Sequence, residues 1–286
     1  MSNRIQLETV DSTNAYALAN FAEMQDHTLV TAEQQSAGRG RRGKKWFSPP
    51  GTNIYASFIV KNLASPPHCA SWIGCLAALE TLSLHEPDIN FWIKWPNDIY
   101  AGKEICESRK IAGVLCETRT RKASNQLECI VIGIGININM SNEDLKKIPI
   151  PAASLFALSG KVWTVEDIIT TLHRQLIRLS SLDNLVGSLS AQKRATRKSH
   201  LHEAGQMLGI NEVGQDFRLT SPGENELFRL WNENNRLKGQ EITVSTENGN
   251  EFTGILESFD HNGGIVVRSG TIVEKFHSGD ISINCL

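Results

Sequence analysis

Two long, almost uniformly apolar stretches constrain the fold of this chain most. "RKIAGVLCET" (109–118) and "LECIVIGIGININ" (127–139) are rich in β-branched residues and carry apolar side chains on both faces. Strands of this composition belong in the middle of a sheet whose faces are covered by helices. We therefore predict a central sheet flanked by helices, with these two strands in its interior.

Further elements are predicted around these two strands. Three further segments read as strands: "HTLVTAEQQ" (27–35), "TNIYASFIV" (52–60) and "INFWIKWPND" (89–98), the last of which ends at Pro96. Residues 68–85 have apolar side chains on nearly every side, which predicts a buried helix. Residues 164–182 predict an amphipathic helix, with acidic residues in its first turn and basic residues toward its end.

The pattern of apolar and polar residues changes after Leu237. Short alternating segments follow, separated by "ENGN", "DHNGG" and "RSG", and they predict five strands of a small barrel or sandwich. We place the domain boundary near Gly239, giving domains of residues 1–238 and 239–286. Residues 183–226 are expected to form a helix followed by an irregular connection, as an insertion or a strongly diverged segment.

Composition and charge limit the classes of function. The chain has 286 residues, of which 40% are hydrophobic and 21% charged, as in ordinary soluble globular proteins. Residues 39–45 contain five cations, and removing them from the net charge of −2 leaves −7. Positive charge is thus concentrated in one glycine-rich segment, which indicates a local anionic ligand rather than a broad basic surface.

Targeting and redox features are plain. No stretch approaches the roughly 18 apolar residues of a membrane span, and "MSNRIQLETV" has no apolar signal core. The six cysteines are scattered, without metal-ligand spacing, and we expect reduced thiols in a cytoplasmic protein.

The segment "GRGRRGKKWFSPPG" (38–51) nearly spells a phosphate-binding P-loop. Gly38, Gly43 and Lys44 have the G-x-x-x-x-G-K spacing, but Lys45 stands where a Ser or Thr should bind magnesium. A P-loop lysine also lies at the start of a helix. The prolines of "WFSPPG" forbid a helix here, so the P-loop interpretation fails.

Lys94 lies in the apolar strand "FWIKWPND", where an unpaired charge costs several kcal/mol. Either Lys94 is on an exposed face or reaches out to solvent, or it points into a cleft and meets an anion. In the second case Asn97 and Asp98, which follow the break at Pro96, lie at the mouth of that cleft.

Two further motifs admit more than one interpretation. In "DSTN" (11–14), Asp11 or Ser12 is expected to cap the helix that follows, while Thr13 and Asn14 face a ligand. "GIGININ" (133–139) lacks the third glycine of a dinucleotide-binding fingerprint. Its glycines are expected to admit a neighbouring backbone or a flat ligand at close range.

Taken together, five stretches resemble the biotin protein ligase family in order and spacing: "DSTN", "QQSAGRGRRGKKW", "KWPND", "KIAGVLCE" and "GIGININ". The resemblance covers residues 5–160 and resumes at "LWNENNRLKGQEITV". It implies an α+β fold, with a mixed sheet flanked by helices as a class II synthetase-like catalytic domain, followed by a small SH3-like β-barrel. Because "DSTN" begins at residue 11, the expected form is the one without an N-terminal DNA-binding domain.

The resemblance also implies a reaction. Biotin and ATP, with Mg²⁺, give biotinyl-5′-AMP and pyrophosphate, and the biotinyl group passes to one lysine of the biotin carboxyl carrier protein of a biotin-dependent carboxylase. Biotin, ATP and the carrier protein are therefore the expected partners, with no nucleic acid and no membrane. A homodimer is one option for the assembly, and no protein residue is assigned as a metal ligand.

Carrying the family motifs over residue by residue gives the expected site. The biotin contacts would be Ser12, Thr13, Asn14, Gln35 and Gly133, with a one-residue ambiguity between Gln34 and Gln35. The loop residues that wrap the biotin tail and phosphate would be Gly38, Arg39, Gly40 and Arg41. Trp46 would stack on adenine and Asn137 would bond near the nucleotide. Lys94, Arg39 and Arg41 would supply the positive charge for catalysis.

Two other functions remain as alternatives. A lipoate ligase or octanoyl transferase has a related fold and a similar lysine, although the basic loop and the C-terminal barrel favour biotin. A nucleic-acid-binding module could hold phosphates with the basic loop and stack a base on its tryptophan, which would make its binding steeply salt-dependent.

Overall fold

The computed structural model describes residues 3–182 and 222–284, except residues 64, 122, 123, 125 and 247. The helix and connection expected from residue 183 onward therefore lie outside the described residues as far as residue 221. In the described part, no helix is both long enough and apolar enough to span a membrane.

A seven-stranded mixed sheet forms the larger unit. Its strands are β1 (Arg4–Val10), β2 (Leu29–Gln35), β3 (Ile54–Val60), β4 (Phe91–Lys94), β5 (Asp98–Ala101), β6 (Arg109–Arg121) and β7 (Gln126–Ile136). They follow the order β1-β2-β3-β7-β6-β5-β4. The β1–β2 pair is parallel and the other neighbours are antiparallel. The two apolar strands β6 and β7 lie in the interior of this sheet, as predicted.

Helices cover the sheet and connect it to the C-terminal unit. They are α1 (Thr13–Asn20), α2 (Cys69–His85), α3 (Asn142–Leu145), α4 (Leu155–Ser159), α5 (165–182) and α6 (Pro222–Glu233). The prediction of a buried α2 is confirmed, because its side chains are buried on nearly all sides. Gly74 lets α2 approach the sheet closely: an added Cβ would lie 2.7 Å from side-chain atoms of Ile132 and Val114.

Three elements differ from the sequence prediction. The strand expected to end at Pro96 ends two residues earlier, at Lys94; after a cis Trp95–Pro96 peptide, the chain returns as β5, with Asp98 paired to Lys94. Strand β1 was missed. Residues 222–226, expected as turn formers, begin helix α6. The spacing of Leu227 and Trp231, both buried, gives α6 an apolar stripe that the polar residues around it obscured.

The C-terminal sheet consists of five short antiparallel strands, as predicted. They are β8 (Glu241–Ser245), β9 (Glu251–Phe259), β10 (Ile265–Ser269), β11 (Ile272–Phe276) and β12 (Asp280–Ile283), in the order β11-β10-β9-β8-β12. Gly239, where we place the domain boundary, lies between α6 and β8 with a φ of +82°.

The two sheets share one apolar core. The ring of Trp72 on α2 lies 5.6 Å from that of Trp231 on α6, which in turn lies 5.1 Å from Phe259 on β9. The indole Nε1 of Trp95, in the turn between β4 and β5, donates to the carbonyl oxygen of Gly263 at 2.8 Å. The C-terminal sheet is therefore fixed against the turn that follows Lys94.

The cysteines differ in one respect from expectation. Cys69, Cys75, Cys116 and Cys129 form no disulfide bond. Cys106 is in a disulfide bond, so the expectation of reduced thiols throughout is wrong for this residue.

Candidate active site

The "DSTN" segment begins helix α1 with polar side chains that are almost fully buried. Ser12 occupies the N-cap position, but its side chain makes no capping hydrogen bond. The Asp11 carboxylate instead accepts from the Ser12 backbone N–H at 2.6 Å. Thr13 and Asn14 are 4% and 3% exposed. The hydroxyl of Ser12 and the side chains of Thr13 and Asn14 are thus available for other contacts, and the side-chain capping interpretation is wrong.

Gln35, at the end of β2, holds Thr13. Its Oε1 accepts from the Thr13 backbone N–H at 2.9 Å and from the Thr13 hydroxyl at 3.2 Å. Its Nε2 donates to the Ser48 hydroxyl at 3.0 Å. Gln35 is therefore the glutamine of the Gln34–Gln35 pair that faces the "DSTN" segment.

Asn14 lies at the centre of a buried hydrogen-bond network. Its Nδ2 donates to the backbone oxygen of Leu115 at 3.0 Å and to Glu117 Oε2 at 2.8 Å. Its Oδ1 accepts from the Ser57 hydroxyl at 2.5 Å. Gly133 on β7 faces this carboxamide so closely that an added Cβ would overlap Asn14 Oδ1.

Trp46 covers the neighbouring part of the sheet. Its indole lies on Gly135, where an added Cβ would overlap the ring, and beside Gly113, where an added Cβ would lie 3.2 Å from it. The glycines of "GIGININ" were expected to allow a close approach, and they do. The groups that approach are the side chains of Asn14 and Trp46, rather than a backbone.

The basic loop folds back on itself between β2 and β3. The Trp46 N–H donates to the Gly38 oxygen at 2.9 Å, and the Gly40 N–H donates to the Lys44 oxygen at 2.7 Å. At Gly38 an added Cβ would lie 2.5 Å from the Trp46 oxygen, so this crossing requires glycine. The closed hairpin directs Arg39 and Arg41 toward the sheet.

Arg39 and Arg41 contact different groups. Arg39 Nη2 forms an ion pair with Glu117 Oε2 at 3.2 Å, beside Asn14. Arg41 Nη1 donates to Asn97 Oδ1 at 3.1 Å. Arg39 thus lies beside the "DSTN" side chains and Arg41 beside the turn between β4 and β5. The strip of polar and charged side chains between them is the candidate ligand groove.

Lys94 is half-buried at the end of β4, so it is not on an exposed face. Its Nζ donates to the Tyr100 hydroxyl at 3.4 Å and lies 4.9 Å from the centre of that ring. Burial lowers the pKa of the Lys94 ammonium below its usual value, and the nearby Asp98 carboxylate opposes this shift. A desolvated cation of this kind is suited to meet an anion.

Lys110 and Glu117 both lie in the site. They belong to the motif "KIAGVLCE", from which neither residue was given a role. Lys110 Nζ is 2.7 Å from Asp98 Oδ1 and 5.5 Å from the centre of the Trp46 ring. Glu117 contacts Asn14 and Arg39 as described. Like Lys94, both residues are charges in a largely apolar strand, a signal that could have identified them.

Asn137 differs from the other expected site residues in its contacts. It is 2% exposed, and its Nδ2 donates to the Ala153 oxygen at 3.0 Å. Its backbone N–H donates to the Ile111 oxygen at 2.9 Å. These bonds tie the residue after β7 to the segment before α4 and to β6.

This fold is the one found in biotin protein ligases. The biotin protein ligase from Aquifex aeolicus, solved in complex with biotin and ATP, superposes with a TM-score of 0.69, at 23% sequence identity over 99% of each chain. Residues 7–137 match the model of the biotin/lipoate A/B protein ligase family. That region, which contains every site residue named above, thus matches this family, as the sequence motifs predicted.

Relatives of known description cover the same region. The chain is 39% identical over 137 residues to the bifunctional ligase/repressor BirA of Escherichia coli. The aligned residues are 47% of this chain and 40% of that protein. It is 30% identical over 192 residues to the biotin–acetyl-CoA-carboxylase ligase of Mycobacterium tuberculosis, covering 64% of this chain and 66% of that protein. The match thus spans less than half the length of the E. coli relative.

Proposed function

We propose that this protein activates biotin with ATP to biotinyl-5′-AMP and pyrophosphate, and transfers the biotinyl group to a lysine of a biotin carboxyl carrier protein. One observation carries this proposal. A largely buried cluster of neutral polar side chains (Thr13, Asn14 and Gln35), which we take as the biotin pocket, adjoins the four cations of the candidate groove (Arg39, Arg41, Lys94 and Lys110). A ligand with a neutral polar head and a carboxylate tail, together with a triphosphate, fits this arrangement.

The polar pocket suits the ureido ring of biotin. That ring has two N–H donors and one carbonyl acceptor, and the hydroxyls and amides of Ser12, Thr13, Asn14 and Gln35 offer both kinds of partner. The Gly133 position keeps the floor of the pocket free of a side chain. These residue roles are part of the proposal, as is the role of Asn137 near the nucleotide.

The cations suit the adenylation step. The biotin carboxylate attacks the α-phosphorus of ATP, the new bond is a mixed anhydride, and pyrophosphate leaves with the electron pair of the broken P–O bond. Like charges approach each other in this step, and Arg39, Arg41, Lys94 and Lys110 would neutralise them. A fixed donor of this kind typically contributes on the order of 3 kcal/mol to the transition state.

The oxygen donors of the site are compatible with Mg²⁺. The Asp98 carboxylate and the Asn97 amide oxygen lie at the phosphate side of the groove, beside Lys110 and Arg41. Mg²⁺ prefers such hard oxygen ligands and keeps several waters when it binds phosphates. Asp98 would hold the ion, which when bound would neutralise phosphate charge.

The basic loop would act as a cover over the adenylate. Its glycines allow it to open, and its closed form brings Trp46 over the sheet, where adenine could stack on the indole. Closure would exclude water from a mixed anhydride that hydrolyses readily. Acceptor docking, a homodimer and the absence of nucleic-acid binding remain proposals.

The test is biotin-dependent exchange of pyrophosphate into ATP, measured without a carrier protein. We expect exchange with biotin and little with lipoate or octanoate. The matched family includes lipoate ligases, so exchange with lipoate or octanoate but not with biotin would replace this proposal by the second candidate. Tight, salt-sensitive binding of oligonucleotides without any exchange would instead favour a nucleic-acid-binding module.

A further inference from the structure

The cations of the basic loop are divided between two targets. Arg39 and Arg41 point to the groove, but Arg42 and Lys44 point to the C-terminal sheet. Lys44 Nζ lies 2.7 Å from Asp280 Oδ2, and Arg42 Nη1 lies 3.8 Å from the same oxygen. The clustering of charge in the sequence had suggested that all of these cations serve one ligand.

Arg42 also bonds the backbone of the C-terminal sheet. Its Nη1 donates to the Ser245 oxygen at 3.3 Å. Ser245 and Asp280 are direct partners across the β8–β12 ladder. One end of this strand pair therefore presents a carbonyl and a carboxylate side by side. The Arg42 guanidinium contacts both groups, and the Lys44 ammonium contacts the carboxylate.

The backbone at Arg42 fits this division. Its φ of 54° and ψ of 40° are left-handed, an uncommon conformation for a residue with a Cβ that persists where surrounding contacts hold it. The left-handed residue reverses the chain between Arg41 and Lys44. Consecutive arginines thereby contact different groups, Asn97 for Arg41 and the β8–β12 pair for Arg42.

The charge of Asp280 also acts on two residues of the candidate groove, Lys94 and Arg41. Burial alone would raise the pKa of Asp280, but the bond to Lys44 and the charges of Arg42 and Arg41 hold it below its ordinary value. Asp280 in turn raises the pKa of Lys94, which Lys44 lowers. A single carboxylate from the C-terminal sheet therefore interacts with cations of the loop and with the lysine of β4.

We propose that Asp280 is a positioning residue that anchors the second half of the basic loop to the C-terminal sheet, so that Arg39 and Arg41 face the groove before nucleotide arrives. The functional part of this proposal rests on the proposed adenylation activity. A glycine-rich loop loses conformational entropy when it closes, and an anchor at residues 42–44 leaves a shorter segment to be ordered by the ligand. The C-terminal sheet thereby contributes to nucleotide binding without touching the nucleotide.

The test compares Asp280→Asn with Glu251→Gln in the full chain. The Glu251 carboxylate lies at the same end of the sheet and accepts from the Ser245 hydroxyl at 3.3 Å, so its variant loses the same charge near the same strand. The first readout is cleavage within residues 38–47, without nucleotide, by a protease that has no charge preference. The second is the split between KM for ATP and kcat in pyrophosphate exchange.

For Asp280→Asn we expect loop cleavage and KM for ATP to rise about fivefold, the upper range for partly exposed ion pairs, with kcat nearly unchanged. Glu251→Gln should match the unmodified protein in loop cleavage and in KM for ATP. Loop cleavage of Asp280→Asn at the unmodified rate would overturn the anchor. If cleavage also rises elsewhere in the chain, the charge exchange Lys44→Asp with Asp280→Lys decides, since the proposal requires it to restore loop protection.

The two proposals fail separately. Loop cleavage needs no catalytic activity, so a protein without biotin-dependent exchange whose loop depends on Asp280 would lose the proposed function and keep the anchor. A protein with normal exchange whose loop is indifferent to Asp280 would lose only the anchor.

Discussion

The indole of Trp46 lies directly on Gly135, with no room for a Cβ between them. Two residues earlier in β7, on the same face of the strand, Gly133 lies equally close to the carboxamide of Asn14. Two glycines of one strand thus allow the approach of two side chains, one toward the proposed nucleotide and one toward the proposed biotin pocket.

The first prediction follows from this pair of glycines. Gly135→Ala should push the Trp46 indole outward and raise KM for ATP by about tenfold, within the range for overpacked sites. Gly133→Ala is the matched variant, since its methyl group meets Asn14 instead and should raise mainly KM for biotin. Steady-state pyrophosphate exchange at varied ATP and biotin measures both. If both variants raised KM for ATP and KM for biotin equally, the separate roles of Gly135 and Gly133 would be contradicted.

The second prediction concerns Lys94. Lys94→Met should lower exchange roughly a hundredfold, as expected for the loss of one transition-state donor. The variant should unfold at the same temperature or higher, because burial lowers the folded-state pKa of Lys94 and the ammonium therefore disfavours folding. Calorimetry and exchange assays measure the two effects. A near-normal rate would assign Lys94 a structural role alone.

The third prediction is the pH dependence of the same step. Lys94 must be protonated to neutralise phosphate, and its pKa is lowered by burial. The exchange rate should therefore fall, as pH rises, at a value below the roughly 10.4 of an ordinary lysine. A pH profile of kcat under saturating substrates measures this limb. Lys94→Met should lack it, and its persistence in that variant would assign the limb to another group.

The fourth prediction concerns Lys110, which forms an ion pair with Asp98. Lys110→Met should also reduce exchange by roughly a hundredfold, because a second fixed charge leaves the groove. Lys147→Met is a suitable control, since Lys147 pairs with Asp144 at an exposed position just after α3. Comparable rates for the two variants would remove Lys110 from the proposed mechanism.

The fifth prediction tests the loop as a cover. Arg41 bonds Asn97 across the groove, so Arg41→Gly should depopulate the closed loop while Lys94 and Lys110 still support adenylation. The adenylate should then dissociate faster and biotinylate exposed lysines of an unrelated protein in the same solution. The off-rate and this labelling are measured together. An unchanged off-rate with an unlabelled bystander would show that Arg41 does not retain the intermediate.

Much of the fold could be predicted because local patterns and global packing agree. The apolar strands β6 and β7 lie inside the sheet, and the turn-punctuated C-terminal segments form five antiparallel strands. Helix α6 was missed because its apolar stripe is short and set among turn-forming residues. The strand expected to end at Pro96 was two residues too long, and β5 was missed, because the chain reversal after Lys94 is set by pairing with β5 rather than by composition.

The candidate site was drawn mainly from the family resemblance, and the sequence alone marked a residue only where it conflicted with its surroundings. Lys94 was recognised as a charge in an apolar strand, whereas Lys110, in the same situation, was not. The split of the basic loop could not be predicted, because the partner of Arg42 and Lys44 is Asp280, more than two hundred residues later in the sequence. Local sequence determines that charges cluster, and tertiary contacts determine where each one points.

The hydrogen bond from Trp95 to Gly263 has a consequence for the evolution of this chain. It links the residue that follows Lys94 to a loop of the C-terminal sheet. Replacing that sheet by an unrelated module, through recombination or by design, would leave the Trp95 indole N–H unmatched and the neighbouring lysine less well held. We therefore expect the small sheet and the groove to be exchanged together. A chimaera that preserves every motif of the first 238 residues should still need a carbonyl oxygen at the position of Gly263.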